Sequence, residues 1–208
     1  MSTVNIRIAL ENALDAIATI IPAATIATSS IDASTLITTA LAHGLTTGVK
    51  VAIAGHTGST PSINSTYPIT VTSTTKFTIP VAVTIAGIGG TVTAQLTARE
   101  NMSFSPITGV PWQSSQIVFA QPDNPEFGSH YFAVGFLQCN VCYPLQVGIG
   151  AAATRAEFIA STFKRGNTYA YSGTTVQIIK TPQVMQGYPT ASDFVIPVRI
   201  QFRAEVIA

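Results

Sequence analysis

The period of the apolar positions changes along the chain, and the changes divide it into three stretches. Over residues 3–20, Ile6, Leu10, Leu14 and Ile17 recur at helical spacing, with Arg7, Glu11 and Asp15 beside them. Positions three and four apart share one face of a helix, so this stretch predicts an amphipathic helix. Ser2 or Thr3 would cap its start, and Pro22 would end it. From about residue 25 the period shortens to two, as in Val49, Val51 and Ile53 and in the run Lys76-Phe-Thr-Ile. Thr, Ser, Val, Ile and Gly dominate, which is the chemistry of strands and turns. Short strands are predicted near 26–30, 35–40, 49–54, 67–72, 76–80 and 91–96. Gly44, Gly48, Gly55, Gly58 and the Gly87–Gly90 cluster separate several of them. Such spacing predicts a small barrel or sandwich. Its regular alternation distinguishes it from a low-complexity linker, which lacks the apolar content to stay ordered.

A third character begins at Ala98. Residues 99–105 read as a strand, 106–128 as a long loop or hairpin, and 129–145 as a long strand. Residues 149–164 predict a helix with Ala152, Phe158, Ile159 and Phe163 available for its inner face. Gly166 follows Lys164 and Arg165, a C-terminal pattern in which glycine takes the left-handed conformation and cations meet the helix dipole. Residues 174–185 and 193–206 alternate as strands. In the second, Phe194, Ile196, Val198, Ile200 and Phe202 share one face, whereas Arg199, Arg203 and Glu205 do not. The expected fold is α+β: a mainly antiparallel sheet packed by two helices, with an inserted small all-β module. The frame would span 1–24 and 98–208, and the Thr-rich insert 25–97. Removing the insert leaves about 130 residues, an ordinary domain size, and loops tolerate insertion.

Charge sharpens this picture. Only 9% of residues are charged, against about 25% in an average soluble protein, and residues 25–97 hold just Asp32, Lys50 and Lys76. So little charge protects a monomer poorly against association, and burial of surface in an assembly is one remedy. The net charge is +1 and the Lys and Arg residues are scattered, so there is no electrostatic footprint for nucleic acid. No apolar run approaches the roughly 20 residues that span a bilayer. Arg7, Glu11 and Asp15 interrupt the N-terminal apolar pattern, which is unlike a secretory signal; folding in cytoplasm is expected.

The reactive side chains form no recognised catalytic pattern, and no enzyme activity, metal or cofactor is expected. Cys139 and Cys142 form a lone C-x-x-C on a strand, where positions three apart face opposite ways. They read as small packing residues. His43, His56 and His130 pair with no carboxylate at a recognised spacing, and Gly87–Gly90 lacks the following helix and lysine of a phosphate loop. Asp123 and Glu126 lie close together in a Pro-rich stretch, where solvation accounts for them. Trp112 is the single tryptophan, beside Pro111; such an aromatic is either a local plug or an anchor for a partner. With Ile117, Phe119 and Phe127 it makes 106–128 apolar for an exposed segment, and these four residues are the candidate interface.

Two resemblances follow from particular runs. The flanking frame resembles the tail terminator (tail completion) proteins of long-tailed bacteriophages. The opening IRIALENAL, then ARENMSFSP, the strand HYFAVGFLQ, the helix and turn RAEFIASTFKRGNTYAYSGTTVQI and the closing FVIPVRIQFRAE carry it. The insert, through TALAHGLTTGVKVAIAGHTG and YPITVTSTTKFTI, is similar to the first catalytic-cysteine half-domain of ubiquitin-activating enzymes. It contains no cysteine, so that chemistry is not implied. His43 and Gly44 in AHGL read as turn residues rather than a binding site. The terminator resemblance implies a virion protein: a homohexameric ring on the head-proximal end of the tail tube, assembled in host cytoplasm. It would contact itself, the tail tube protein and the head connector or stopper, while viral DNA passes through the lumen without being read and no membrane is engaged. Alternatives are a tail-tube or head-connector subunit, or a surface- or carbohydrate-binding decoration. The insert offers one Tyr, one Phe and no Trp as a stacking platform for a glycan.

Overall fold

The computed structural model describes residues 3–17, 20–102, 104–125 and 129–207. Helix α1, Thr3–Asp15, buries Ile6, Ala9, Leu10 and Leu14, the face set by the apolar period. It is shorter than the predicted 3–20. β-branched Ile17, Ile20 and Ile21 follow Asp15, and such side chains lose rotamer freedom against a preceding helical turn. Ser2, the alternative cap, lies outside the described residues.

The chain divides into two compact units, Met1–Ala18 with Thr97–Ala208, and Thr19–Leu96. The second contains β1 (Ala24–Ser29), β2 (Thr35–Thr39), β3 (Lys50–Ala54), β4 (Thr66–Pro68), β5 (Thr70–Ser73), β6 (Lys76–Ile79) and β7 (Thr91–Ala94). They form one antiparallel sheet in the order β4-β3-β7-β1-β2-β6-β5. The two end strands are neighbours in sequence, separated only by Ile69, so the sheet curls into a nearly closed barrel. Ile69 ties the seam: its N–H donates to Val49 O at 3.1 Å and its carbonyl accepts from Gly48 N at 2.9 Å. Ile26, Ile37, Val51, Ile53, Phe77, Ile79 and Val92 are buried.

Both histidines of this unit are structural. His43 accepts from Leu45 N at Nδ1 (3.0 Å), so its Nε2 carries the hydrogen that it donates to Ser73 O (3.1 Å). Its ring meets Phe77 edge-on. His56 lies beneath the glycine segment. Its Nδ1 is 2.7 Å from Gly89 O, and its Nε2 is 3.1 Å from Ser29 Oγ. Ser29 Oγ in turn accepts from Gly87 N at 2.8 Å. Gly87–Gly90 is therefore a strap laid across the 55–59 turn. A Cβ on Gly87 would sit 2.4 Å from Thr57 O and 2.5 Å from His56 Nε2.

The first unit carries β8 (Thr97–Arg99), β9 (Trp112–Phe119), β10 (His130–Pro144), α2 (Gly150–Thr162), β11 (Thr168–Tyr171), β12 (Thr174–Ile178), β13 (Gln183–Val184), β14 (Tyr188–Pro189) and β15 (Asp193–Ile207). The main sheet runs β11-β12-β15-β10-β9-β8, with β13 and β14 also on β15. All pairs are antiparallel except β8 with β9. Strands β10 and β15 pair in unbroken register from His130↔Ile207 to Pro144↔Asp193. Both helices pack on one face of this sheet, over Leu137, Cys139, Val141, Ile196, Val198, Ile200 and Phe202. Gly135 stands opposite both Phe119 and Phe202, whose rings meet edge to face at 5.9 Å.

Several predicted elements differ in detail. The strand expected over 99–105 ends at Arg99, because a turn with Asn101 at φ 57° follows it. Residues 112–119, expected in a loop or hairpin, form the β9 arm of a hairpin with β10. The strand expected over 174–185 breaks after Ile178 and resumes at Gln183, on the far side of Pro182. Helix α2 turns Ala152, Arg155, Ala156 and Ile159 inward. Phe158 is 40% exposed, since it lies more than a quarter-turn round the helix from the centre of that inward arc. Gly166 (φ 92°) serves the turn into β11 rather than the helix end. That end is held by Asn167 Nδ2 and Tyr169 Oη, both donating to Thr162 O.

Five of the chain's few charges gather where α1 meets the β8 turn. Arg99 reaches Glu11 at 2.9 Å and also pairs with Asp15, while Arg7 pairs with Glu100. These partly exposed pairs hold together the residues flanking the second unit. Arg99→Ala is expected to cost about 1 kcal/mol. Urea titrations at low and high ionic strength check it: the wild-type protein loses that increment with added salt, whereas the variant does not.

Candidate assembly surface

The side of the main sheet away from the helices is built by strand alternation. It presents Phe132, Phe136, Gln138 and Asn140 of β10, opposite Glu205, Gln201, Arg199 and Pro197 of β15. Val134 faces the same way opposite Arg203, and β9 adds Trp112, Ser114, Gln116 and Val118. Most of these residues are half-buried, and Gln116, Arg203 and Glu205 are exposed. Both helices lie on the other side.

Cations and rings are interleaved on this face. The guanidinium of Arg199 stands 4.7 Å over the ring of Phe136, and that of Arg203 stands 5.1 Å over Phe132. Such stacking restrains the arginine stems while leaving donors available. Arg203 Nε also donates to Gln177 Oε1 at 3.2 Å, and His130 Nε2 lies 3.0 Å from Glu205 Oε1. Along the middle, Gln138 Nε2 donates to Asn140 Oδ1 (3.1 Å) and Asn140 Nδ2 donates to Ser114 Oγ (3.2 Å). Two donors here, Trp112 Nε1 and Arg199 Nε, are inaccessible to solvent and find no acceptor among the described residues.

Of the four residues expected at an interface, the three that are described do not form one exposed surface. Trp112 is the first residue of β9, half-buried on the open face, with its ring 5.4 Å from Phe104. Ile117 is 4% exposed and belongs to the core, because alternation turns it toward the helices. Phe119 packs against the same core. Phe127 and the neighbouring Glu126 lie outside the described residues. Phe132, Phe136, Arg199 and Arg203 were the less obvious members of this face. Their signal was an even-numbered alternation along HYFAVGFLQCN, opposite the arginines already set apart on the last strand.

Beneath β9, the Arg155 guanidinium is buried and donates through Nε and Nη2 to Gln113 Oε1 at 3.2 and 2.9 Å. Gln113 Nε2 donates onward to Thr97 Oγ1 at 3.0 Å. Desolvation holds the Arg155 pKa below its ordinary value. Cys139 and Cys142 are free and buried, and burial pushes both thiols up to about 12. They stay protonated at neutral pH and act as packing residues. Among the described residues no group of three or more His, Cys, Asp or Glu could hold a metal ion, and no helix is long and apolar enough to cross a membrane.

The open side of this frame is a broad surface of half-buried aromatic, amide and guanidinium side chains. The sequence profile of the phage tail terminator protein family matches residues 86–202, more than half of the 208-residue chain, and the chain belongs to that family. It is a structural component of a phage tail, and its place is the virion. The chain is also similar to a solved structure at 19% identity, over 55% of this chain and 82% of that one, with a TM-score of 0.47. Likeness at that level carries no argument about function. No curated protein matches the chain.

Proposed function

We propose that the protein closes the head-proximal end of the tail tube as a homohexameric ring, stops tube growth and offers the docking face for the head connector or stopper. Membership of the tail terminator family is the observation that carries this reading. A charged fraction of 9% agrees with a surface largely buried in an assembly. Closure requires a heterologous contact whose rotation brings the last copy back to the first. One rim then matches the tube and the other does not, so polymerisation ends there. DNA crosses the lumen without being read.

Negative-stain images and native mass of the full chain mixed with tube protein test the reading. Discrete rings capping tubes of fixed length are expected. Long tubes built of this chain alone would replace it with a tail-tube subunit.

The 25–97 insert is proposed as a peripheral decoration of that ring. Support comes from the ion pairs of Arg99 with Glu11 and Asp15, which hold the residues on either side of it together without the insert's help. Replacing 25–97 by a short Gly/Ser linker is expected to leave ring size unchanged, as read by native mass. Loss of assembly in a frame that still folds would show that the insert takes part in the ring contact.

A further inference from the structure

Building on the ring reading, we propose that the open sheet face of one copy is covered by the outer side of α2 of the next copy. Size comes first. At about 1.5 Å per residue α2 is roughly 20 Å long, which matches the roughly 20 Å of half-buried and exposed face between Phe132 and Gln138 of β10, opposite Glu205 to Arg199 of β15.

Composition agrees. Interface centres are rich in aromatic residues and arginine and poor in lysine. The open face presents Trp112, Phe132, Phe136, Arg199 and Arg203, and no lysine. Its acid, Glu205, is engaged with His130.

Charge selects the counter-surface. The outer side of α2 carries Glu157, exposed and without an ion pair among the described residues. Beside it stands Phe158, 40% exposed. This side offers a free carboxylate to the arginines of the sheet face and a ring to its aromatic side chains. The two surfaces lie on opposite sides of a two-layer frame, sheet on one side and helix on the other. They cannot meet within one molecule, and their contact between copies is head-to-tail, the kind that generates rings.

Sedimentation and native mass of the full chain test the pairing, using wild type, Arg199→Glu, Glu157→Arg and the double variant. Thermal unfolding of each checks the fold, and Glu157→Arg alters an exposed position that does not endanger it. Each single reversal is expected to weaken self-association about tenfold or more, since like charges then face one another. The double variant is expected to recover most of the loss. Full assembly by both single variants would overturn the proposal while leaving the ring reading standing. So would weakened single variants with no recovery in the double variant, or intact rings that lose only tube binding. A wild-type chain that remains monomeric with tube protein present would overturn both.

Discussion

Phe202→Ala should lower the unfolding free energy by about 3–5 kcal/mol, the range for removing a large buried aromatic side chain. Phe202 is fully buried, and its ring fills the space over Gly135, the cross-strand neighbour without a side chain. Phe119 meets the ring edge to face and cannot swing in without leaving its own place on β9. The truncated site therefore collapses incompletely and keeps a cavity. Trp112 is the single tryptophan and sits in this unit, so its fluorescence in a urea titration reads the loss directly. A change below about 1 kcal/mol would mean that the neighbouring side chains refill the site.

Gly87→Ala should be comparably damaging, by about 3 kcal/mol, but in the other unit. The cause is steric. An added Cβ would meet the Thr57 carbonyl at 2.4 Å, His56 Nε2 at 2.5 Å and Ser59 N at 2.7 Å. Two of those contacts are backbone atoms of a turn and cannot swing aside. The strap must lift, breaking the Gly87 N–H bond to Ser29 Oγ. Gly89→Ala makes the contrast: its Cβ meets nothing within 4 Å, although its φ is +71°. That variant should lose only about 1–2 kcal/mol, from left-handed strain. Calorimetry of both variants, with Trp112 fluorescence reporting the first unit separately, checks the ranking. Equal losses would assign the role of Gly87 to backbone conformation instead of close approach.

The legible and illegible parts of the fold differ in the agreement between burial and polarity. In the Thr-rich unit, Val51, Ile53, Phe77 and Ile79 are both apolar and inward, so period two marks the strands directly. Strand β9 was unreadable because the rule inverts there. Gln113 and Ser115 face inward and are buried, with Gln113 serving the Arg155 guanidinium, while Trp112 and Val118 face outward. Arg155 itself is the reason: an arginine on the inner face of α2 is invisible to an apolar count, which selects Phe158 instead. The candidate surface was hidden for a related cause. Residues at the proposed contact would be soluble in one state and buried in another, and half-exposed Phe136 stacked beneath Arg199 resembles neither core nor surface.

The seam at Ile69 bears on crowding. A strip of seven strands laid flat would expose two edges of unpaired N–H and C=O groups, each able to recruit a strand from another molecule. Here the strip turns back on itself, and its ends are the short strands β4 and β5, joined through a single residue. In the proposed ring each copy would carry this Thr-rich, nearly uncharged body at high local concentration, where charge repulsion could not keep copies apart. Curling the edges together withdraws the sites at which adjacent bodies would fuse, so the copies of such a ring would stand side by side and remain separate.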